Sequence, residues 1–511
     1  MGLLQDQLVH FSFPSPAQFF LALGASLVSV TFYRLYLHPL AHVPGPPFAC
    51  VSSLFLYIIC YLGVESSVLA HYHVKYNTPV LRIAPDAVSL SDGEALHQVY
   101  VAGGGLPKDA RYNNFRFEGF NTIFSTTNQN YRDSRAKTVI SLFAPSRVQA
   151  AYEQDGTVMM ALVGKYVARL QQERTKPSSR ADILDLSSRL SIDIMTGYLF
   201  GHVYGGLDEP LRIAEPKAKP LRWGDKLSAT PFVLAIVAFS RYSLLPNWLF
   251  SVIFSSLVGR VLSDQEVNVS LQTVSKYALG VLDSATTEQG PSQDTYQSRL
   301  LAAGISRQET LNQVKAIMFA GADSTAVMLA TIIFHLVQQP EKRKRLEAEL
   351  ESHPADVDPR TLPYLRAVVR EGLRLGMANP TRLTRVIRQG SAGLTVSGYR
   401  LPPGTIVGAA AHVLHHDPLV YPDPFTFQPE RWLSSSGEIQ ARRIRERNLI
   451  PFGLGSRACL GREIAEKQLY VVMKEVIKSR VLEGAWTCTE KIDIIEWFNA
   501  EIKGHKLEIA W

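Results

Sequence analysis

The sequence predicts a mainly α-helical protein with a small β region, attached to a membrane by an N-terminal anchor helix. Three observations lead there. Ser306-Arg-Gln-Glu309 has the form of a capping box, and the helical stretch it opens runs without proline to about Gln338. Residues 150–305 read as further helices joined by mixed loops. Two short segments, Val80-Leu-Arg-Ile-Ala-Pro85 and Ala392-Gly-Leu-Thr-Val-Ser397, read as strands and together suggest one small sheet beside the anchor. A chain of 511 residues can bury a large core, and length alone allows about three domains. The formal net charge of +7 is spread along the chain, which argues against a nucleic-acid partner. It suits an anionic membrane surface or an acidic protein partner. The four cysteines, Cys50, Cys60, Cys459 and Cys488, contain no C-x-x-C pair, which argues against a zinc or dithiol redox motif. A disulfide framework is not expected in so long a chain, and a reducing compartment fits.

Residues 1–33 carry no Lys or Arg, and Ala17–Tyr33 is an uncharged apolar run of 17 residues. That is the short end of the ~20 residues a span needs. Arg34 follows and can snorkel to the interface. Positive charge after the run and none before it predict a lumenal N-terminus and a cytosolic remainder. A cleaved signal peptide would begin with a basic segment, which is missing. Residues 1–37 are therefore read as a single-pass anchor. Prolines 39, 44, 46 and 47 predict a stiff, extended hinge over 38–47, and residues 48–511 form the main domain. Phe48–Val64 is a second uncharged apolar run, but Ser52, Ser53 and Gly63 dilute it, so a docked or interfacial helix is expected. In the aromatic-rich stretch 107–124, Phe115, Phe117, Phe120 and Phe124 either line an apolar pocket or pack beneath a loop. Pro231–Val258, broken by Arg241 and Pro246, reads as a pocket roof touching the membrane or as core helices. Asn268-Val-Ser270 matches a glycosylation triplet, which a cytosolic domain would not use.

In the middle of the long helix sits Ala320-Gly-Ala-Asp-Ser-Thr325. A mid-helix glycine costs ~1 kcal/mol against alanine, and an aspartate among apolar residues costs more unless paired. Gly321 can widen a groove, and Asp323 with the Ser324 hydroxyl can pass protons. A purely structural kink is the other reading. Tyr131 and Arg135 share a helix face at i, i+4, and Glu371 and Arg374 do so at i, i+3. Phe427-Gln-Pro-Glu-Arg-Trp432 then supplies Arg431. Pro451–Gly461 follows as Pro-Phe-Gly-Leu-Gly-Ser-Arg-Ala-Cys-Leu-Gly, ahead of a helix-like run from Arg462. Its glycines let the backbone approach a flat partner closely. A cysteine just before a helix start lies near the positive dipole end, where thiolate is favoured and backbone N–H groups can aim at sulfur. That suits an axial ligand to haem iron; a buried structural cysteine is the alternative.

Phe452, Gly455, Arg457, Cys459 and Gly461 complete the pattern Phe-x-x-Gly-x-Arg-x-Cys-x-Gly, which resembles the haem-ligand loop of the cytochrome P450 monooxygenases. Glu371-x-x-Arg374, Pro-Glu-Arg431-Trp432 and Ala320–Thr325 resemble three further family motifs, in the family's order. The resemblance covers most of the chain and implies the cytochrome P450 fold behind a membrane anchor. It implies haem b with Cys459 as thiolate ligand to iron, and Phe452, Gly453, Gly461 and Gly321 against the cofactor. Arg135, Arg385 and Arg457 are implied for the haem propionates, with Arg382 competing with Arg385. Tyr131 departs from the Trp or His usual in the family. Glu371, Arg374 and Arg431 are implied as a buried network holding the cysteine loop. Asp323, Ser324 and Thr325 are implied for proton delivery, with Ser324 standing where the family has threonine. The implied reaction inserts one atom of dioxygen into an apolar small molecule. Electrons would come from NADPH through a cytochrome reductase, with cytochrome b5 as a further candidate donor. The hinge and the Tyr-Arg-Leu-Tyr-Leu-His-Pro-Leu junction resemble fungal members bound to the endoplasmic reticulum, many of which tailor terpenoids, alkaloids or polyketides. Arg442, Arg443, Arg445 and Arg447 either dock an acidic flavoprotein or form a solvated face. A haem-thiolate isomerase or peroxide-using enzyme, and a non-catalytic haem protein, are the other classes. Asp323-Ser324 argues against the first, which needs no delivered protons.

Overall fold

The anchor expectation has a direct counterpart in the structure, a computed structural model. It describes residues 15–153, 157–177, 179–208, 241–253, 265–286, 294–433 and 439–511, with the side chains of 265–271 and 286 excepted. Ser15 caps the helix Pro16–Phe32, which a π-helical turn, Tyr33–Leu37, continues. The apolar helix is thus 22 residues long with none of its hydrophobic window buried, five residues more than the uncharged run itself. At 1.5 Å per residue it reaches roughly 33 Å, enough for a hydrocarbon core of about 30 Å. Arg34 does not reach outward as expected: its guanidinium donates to the Val51 carbonyl, and Arg82 donates to the Arg34 carbonyl at 2.8 Å. The apolar helix is therefore tied to the sheet.

Residues 38–47 turn rather than extend freely. Leu40 and Val43 are buried, and the Arg82 N–H donates to the Pro44 carbonyl at 2.7 Å. The second apolar run forms two short helices, Pro47–Val51 and Leu54–Leu62, interrupted by extended backbone at Ser52 and stopped by Gly63 in the left-handed region. Leu56, Ile59 and Cys60 pack with Leu69, Leu81 and Ile83. The run is thus docked on the protein.

The described residues hold eleven short strands: β1 Val80–Ala84, β2 Ala87–Leu90, β3 Arg180–Asp182, β4 Arg385–Val386, β5 Leu394–Val396, β6 Tyr399–Leu401, β7 Ile406–Ala409, β8 Trp486–Thr487, β9 Ile494–Ile495, β10 Glu501–Ile502 and β11 Glu508–Ala510. The main sheet runs β1-β2-β7-β4, with β2 and β7 parallel. The two segments read as one sheet from the sequence are separate. β1 lies in the main sheet, whereas β5 pairs only with β6 across the tight Ser397-Gly398 turn. Local propensity marked both as extended, but pairing partners are a tertiary choice.

Everything else of size is helical, and the central helix Arg307–Gln338 is its axis. In its C-terminal half Leu329, Ile332, Ile333 and Phe334 are fully buried, and the helix Ile183–Phe200 packs along it. Though apolar enough to cross a membrane, it is 72% buried over its hydrophobic window, as a core helix is. Only half of the expected capping box forms. Ser306 Oγ accepts the Glu309 N–H at 3.2 Å, while the Glu309 carboxylate goes to Arg135 and Tyr131. An ionised carboxylate gains more from a guanidinium than from a neutral N–H.

Candidate active site

The cysteine loop is shaped by its own backbone bonds. The Gly453 N–H donates to Ile450 O at 3.0 Å, Ala458 N–H to Gly455 O at 3.0 Å, and Cys459 N–H to Phe452 O at 2.9 Å. Gly455 has φ +69°, and a Cβ there would lie 1.8 Å from the Tyr100 carbonyl oxygen. No L side chain fits both constraints. Gly455→Ala is therefore expected to displace the loop and cut haem incorporation severely, read from the haem-to-protein absorbance ratio of purified protein.

Gly461 caps the helix Arg462–Lys478, so Cys459 sits just before a helix start as expected. The backbone N–H groups of Gly461 and Arg462 lie beside the sulfur. Burial pushes the thiol pKa up, and these two N–H groups only partly offset it. Cys459 is nonetheless exposed, and what it faces is a cavity of about 930 Å³.

That cavity joins the cysteine loop to the central helix. Phe452, Gly453, Arg457, Cys459 and Gly461 line it from the loop, and Gly321, Ser324 and Thr325 from the helix. Gly321 also sets helix packing, since a Cβ there would lie 2.8 Å from Met195 Cγ. The Ser324 hydroxyl donates to Ala320 O at 2.9 Å. Asp323 is 4% exposed and stands behind the wall, near the carboxamide of Asn499, which does line the cavity. Burial, the larger influence, raises its carboxyl pKa to about 7, and the nearby Asn499 carboxamide offsets only part of that.

Much of the remaining wall is apolar and aromatic. Phe115, Phe117 and Phe124 line it, and Phe120 does not. Phe498 joins Phe115 and Phe124 at ring-centroid distances of 4.7 and 5.6 Å. Ala378, Asn379 and Leu383, between Arg374 and Arg385, edge the cavity as expected. From the 231–258 stretch Tyr242 lines it, while 231–240 and 254–258 lie outside the described residues. The side chains of Asn268-Val-Ser270 lie outside them as well.

Four cations converge on one part of the wall: Lys108, Arg132, Arg385 and Arg457. Lys108 donates to Phe124 O at 2.6 Å and lies 4.1 Å over the rings of Tyr112 and Phe124. Burial and then the Arg385, Arg457 and Arg132 charges pull its pKa far down. Arg457 bonds Gln129 Oε1 and Thr126 O, each at 3.0 Å; burial, then Arg132 and Arg385, lower its pKa to about 10. Arg385 donates to Thr384 O. Arg382, its competitor, is turned away into a 2.6 Å ion pair with buried Glu65.

Arg135 requires correction. It shares a face with Tyr131 as the spacing requires, but that face meets Glu309. The guanidinium pairs with the carboxylate at 2.9 and 3.1 Å, and the Tyr131 hydroxyl donates to the same group at 2.6 Å. Arg135 does not line the cavity, and Arg132 of the same helix does. Lys108, Arg132 and Asn499 were missed from the sequence. A lysine just ahead of Tyr112, Phe115 and Phe124 was a visible signal for the first. No local pattern marks Asn499.

Outside the cavity, Glu371 accepts from Arg374 Nε and Nη2 at 3.0 and 2.7 Å, from Arg431 Nε at 3.0 Å, from Trp432 Nε1 at 2.8 Å and from the Gln428 N–H at 3.0 Å. Glu371 and Arg374 are wholly buried. Of the basic cluster, Arg442 pairs with Glu446, Arg447 with Glu94, and Arg445 is buried, which leaves Arg443 exposed with no ion pair among the described residues.

Comparison with known proteins agrees with this geometry. Residues 44–483 match the cytochrome P450 family. The cytochrome P450 monooxygenase mfmF of Annulohypoxylon moriforme is 50% identical over 485 residues, covering 94% of this chain and 96% of that protein. The cytochrome P450 monooxygenase BOT1 of Botryotinia fuckeliana is 27% identical over 99% of this chain and 98% of its own. The tryptophan 6-hydroxylase fscE of Fusarium equiseti is 27% identical over 89% and 88%. With a thiol, an apolar cavity and the central helix joined in one site, and the family match spanning most of its length, this chain belongs to the cytochrome P450 family of haem-thiolate oxidoreductases.

Proposed function

We propose that the protein is a membrane-anchored monooxygenase that oxidises an apolar small molecule in a tailoring step of secondary metabolism. One observation carries the reading: the Cys459 thiol opens onto a largely apolar cavity that also reaches Ser324 and Thr325. Haem supplies the activation of dioxygen when bound, with Cys459 as its thiolate ligand. The donor set fits that group. Lys108 and Arg385 are buried and Arg457 half-buried near one another, with neutral hydrogen-bond partners, an arrangement two propionates would relieve. Phe452, Gly453, Gly461 and Gly321 give the close, uncharged walls a flat macrocycle needs. Glu371, Arg374 and Arg431 hold the segment before the loop and do no chemistry.

Asp323 keeps a proton near neutral pH, and the Ser324 hydroxyl can accept through its lone pairs while donating to Ala320 O. Thr325, beside it on the wall, offers a second hydroxyl. The aromatic lining favours a hydrophobic substrate, in keeping with terpenoid, alkaloid or polyketide scaffolds. The exposed apolar helix and the cytosolic orientation drawn from Arg34 support residence in the endoplasmic reticulum. Electrons then come from NADPH–cytochrome reductase, with cytochrome b5 as a further donor, and exposed Arg443 is one basic group for an acidic partner. Residues 1–37 act as the anchor, 38–47 join it to the sheet, and 48–511 are the monooxygenase domain.

The test is reconstitution with NADPH, reductase and isotopically heavy dioxygen, over a panel of apolar metabolites first screened for a low-to-high spin shift. One heavy atom per product is expected. Product formed with peroxide alone, and none with NADPH, would overturn the reading. In the same assay Ser324→Ala is expected to keep consuming NADPH while product per NADPH falls by about tenfold. An unchanged ratio would remove Ser324 from proton delivery.

A further inference from the structure

Tyr100 touches two parts of the cavity wall that the chain builds separately. It ends the helix Ala95–Tyr100 and is 2% exposed. Its hydroxyl lies between two strands. β4 and β7 are antiparallel with Arg385 opposite Val407, and the same register carried back sets Leu383 opposite Ala409. An antiparallel pair that makes one direct bond normally exchanges a second. Here the first runs from the Leu383 N–H to Ala409 O at 3.1 Å. The second passes through the tyrosine. The Ala409 N–H donates to Tyr100 Oη at 2.9 Å, and Tyr100 Oη donates to Leu383 O at 2.8 Å. Burial, offset only in part by the Arg385 charge and the Ala409 N–H, pushes the phenol pKa up to about 12, so the hydroxyl keeps the proton it donates.

Arg385 lies two residues beyond Leu383, on the same side of the strand, and both line the cavity. The Tyr100 ring centroid is 5.0 Å from the Arg385 guanidinium, close enough for the ring face to attract the cation. Arg385 is itself buried and donates to Thr384 O. The backbone of Tyr100 meets the other part of the wall. A Cβ on Gly455 would lie 1.8 Å from the Tyr100 carbonyl oxygen, so the cysteine loop packs directly on this residue. The segment that follows is fastened to both parts as well. Ser456 Oγ donates to Gly104 O at 2.7 Å, and the Val386 N–H donates to Pro107 O at 2.9 Å.

We propose that Tyr100 is a positioning residue for the cofactor: its hydroxyl bridge and its ring hold the Arg385 guanidinium in a fixed place relative to the loop that carries Cys459. The inference rests on the reading of Arg385 as a propionate partner. Tyr100 does not line the cavity and acts through Arg385. Without the hydroxyl, Leu383 O and the Ala409 N–H are left unpaired in the interior or close onto one another. Either change shifts the strand just before Arg385.

Haem transfer from the ferric holoenzyme to excess apomyoglobin reads how firmly the cofactor is held, without turnover. Tyr100→Phe is expected to lose haem about tenfold faster than wild type, and Arg385→Gln at least as fast. The double variant is expected to lose it no more than about twofold faster than Arg385→Gln alone, because the tyrosine acts through that guanidinium. The propionate bending modes in the resonance Raman spectrum give a second readout. They are expected to shift in the same direction in Tyr100→Phe and Arg385→Gln. Tyr166→Phe removes another buried hydroxyl, bonded to Ser187 at 3.1 Å and off the cavity wall, and is expected to leave both readouts at wild-type values. Haem transfer at the wild-type rate in Tyr100→Phe would overturn the proposal. So would effects that multiply in the double variant, which would place Tyr100 outside the Arg385 interaction. If Arg385→Gln alone held haem as firmly as wild type, with unmoved propionate modes, the reading of Arg385 would fail and the proposal with it.

Discussion

Cys459→Ala is expected to abolish both the thiolate-type absorbance band of the reduced carbon-monoxide complex and all turnover. The argument begins with the sulfur's surroundings. Burial disfavours a lone thiolate, and the Gly461 and Arg462 N–H groups offset only part of that. Bound haem iron would complete the compensation, because a coordinating thiol gives up its proton. Alanine removes the only sulfur on the cavity wall that the cysteines provide: Cys50 and Cys60 are buried elsewhere, and Cys488 is not on that wall. The cations and the glycine cradle remain, so haem could still associate weakly, held by its propionates and its apolar faces. The discriminating measurement is therefore the band position of the carbon-monoxide complex, not haem content alone. A thiolate-type band surviving in Cys459→Ala would remove the basis of the proposed chemistry.

Glu371→Ala is expected to be the most destabilising single change outside the cavity, at about 3–5 kcal/mol. Both carboxylate oxygens are in use, and five donors from four residues besides its own backbone neighbours converge on them. Truncation leaves Arg374 and Arg431 buried with one anion fewer than the site requires. Arg374 keeps His415, Pro424 and Thr426 carbonyls as partners, which soften the loss without supplying charge. Glu371→Gln retains the shape and some hydrogen bonds, so it is expected to fall between wild type and alanine. Denaturant unfolding of the holoenzyme, followed by haem absorbance and by circular dichroism, checks the order. Equal midpoints for all three proteins would show that the network is not a support for the loop.

How much of this was legible depends on the range of the interaction involved. The cysteine loop, the central helix and the Glu371–Arg374 pair are set by residues within a few turns of one another. Loop-forming glycines, a capping serine and i, i+3 spacing write such features locally. Arg135 shows the limit. Its helical face was legible from spacing, but what that face meets is Glu309, at the start of another helix. The same holds for β5, whose extended character was legible and whose sheet was not.

The sequence by itself determined the family, the apolar N-terminal helix, the helix that crosses the core and the cysteine that faces the cavity, because each depends on chemistry contained in one contiguous stretch. Only the tertiary structure decided which cations share the cavity wall, and that the last hairpin brings Phe498 and Asn499 to the same wall as the central helix. Those pairings join segments far apart in the chain. Burial then changes what each group can do, and burial belongs to the packed fold rather than to any stretch of residues.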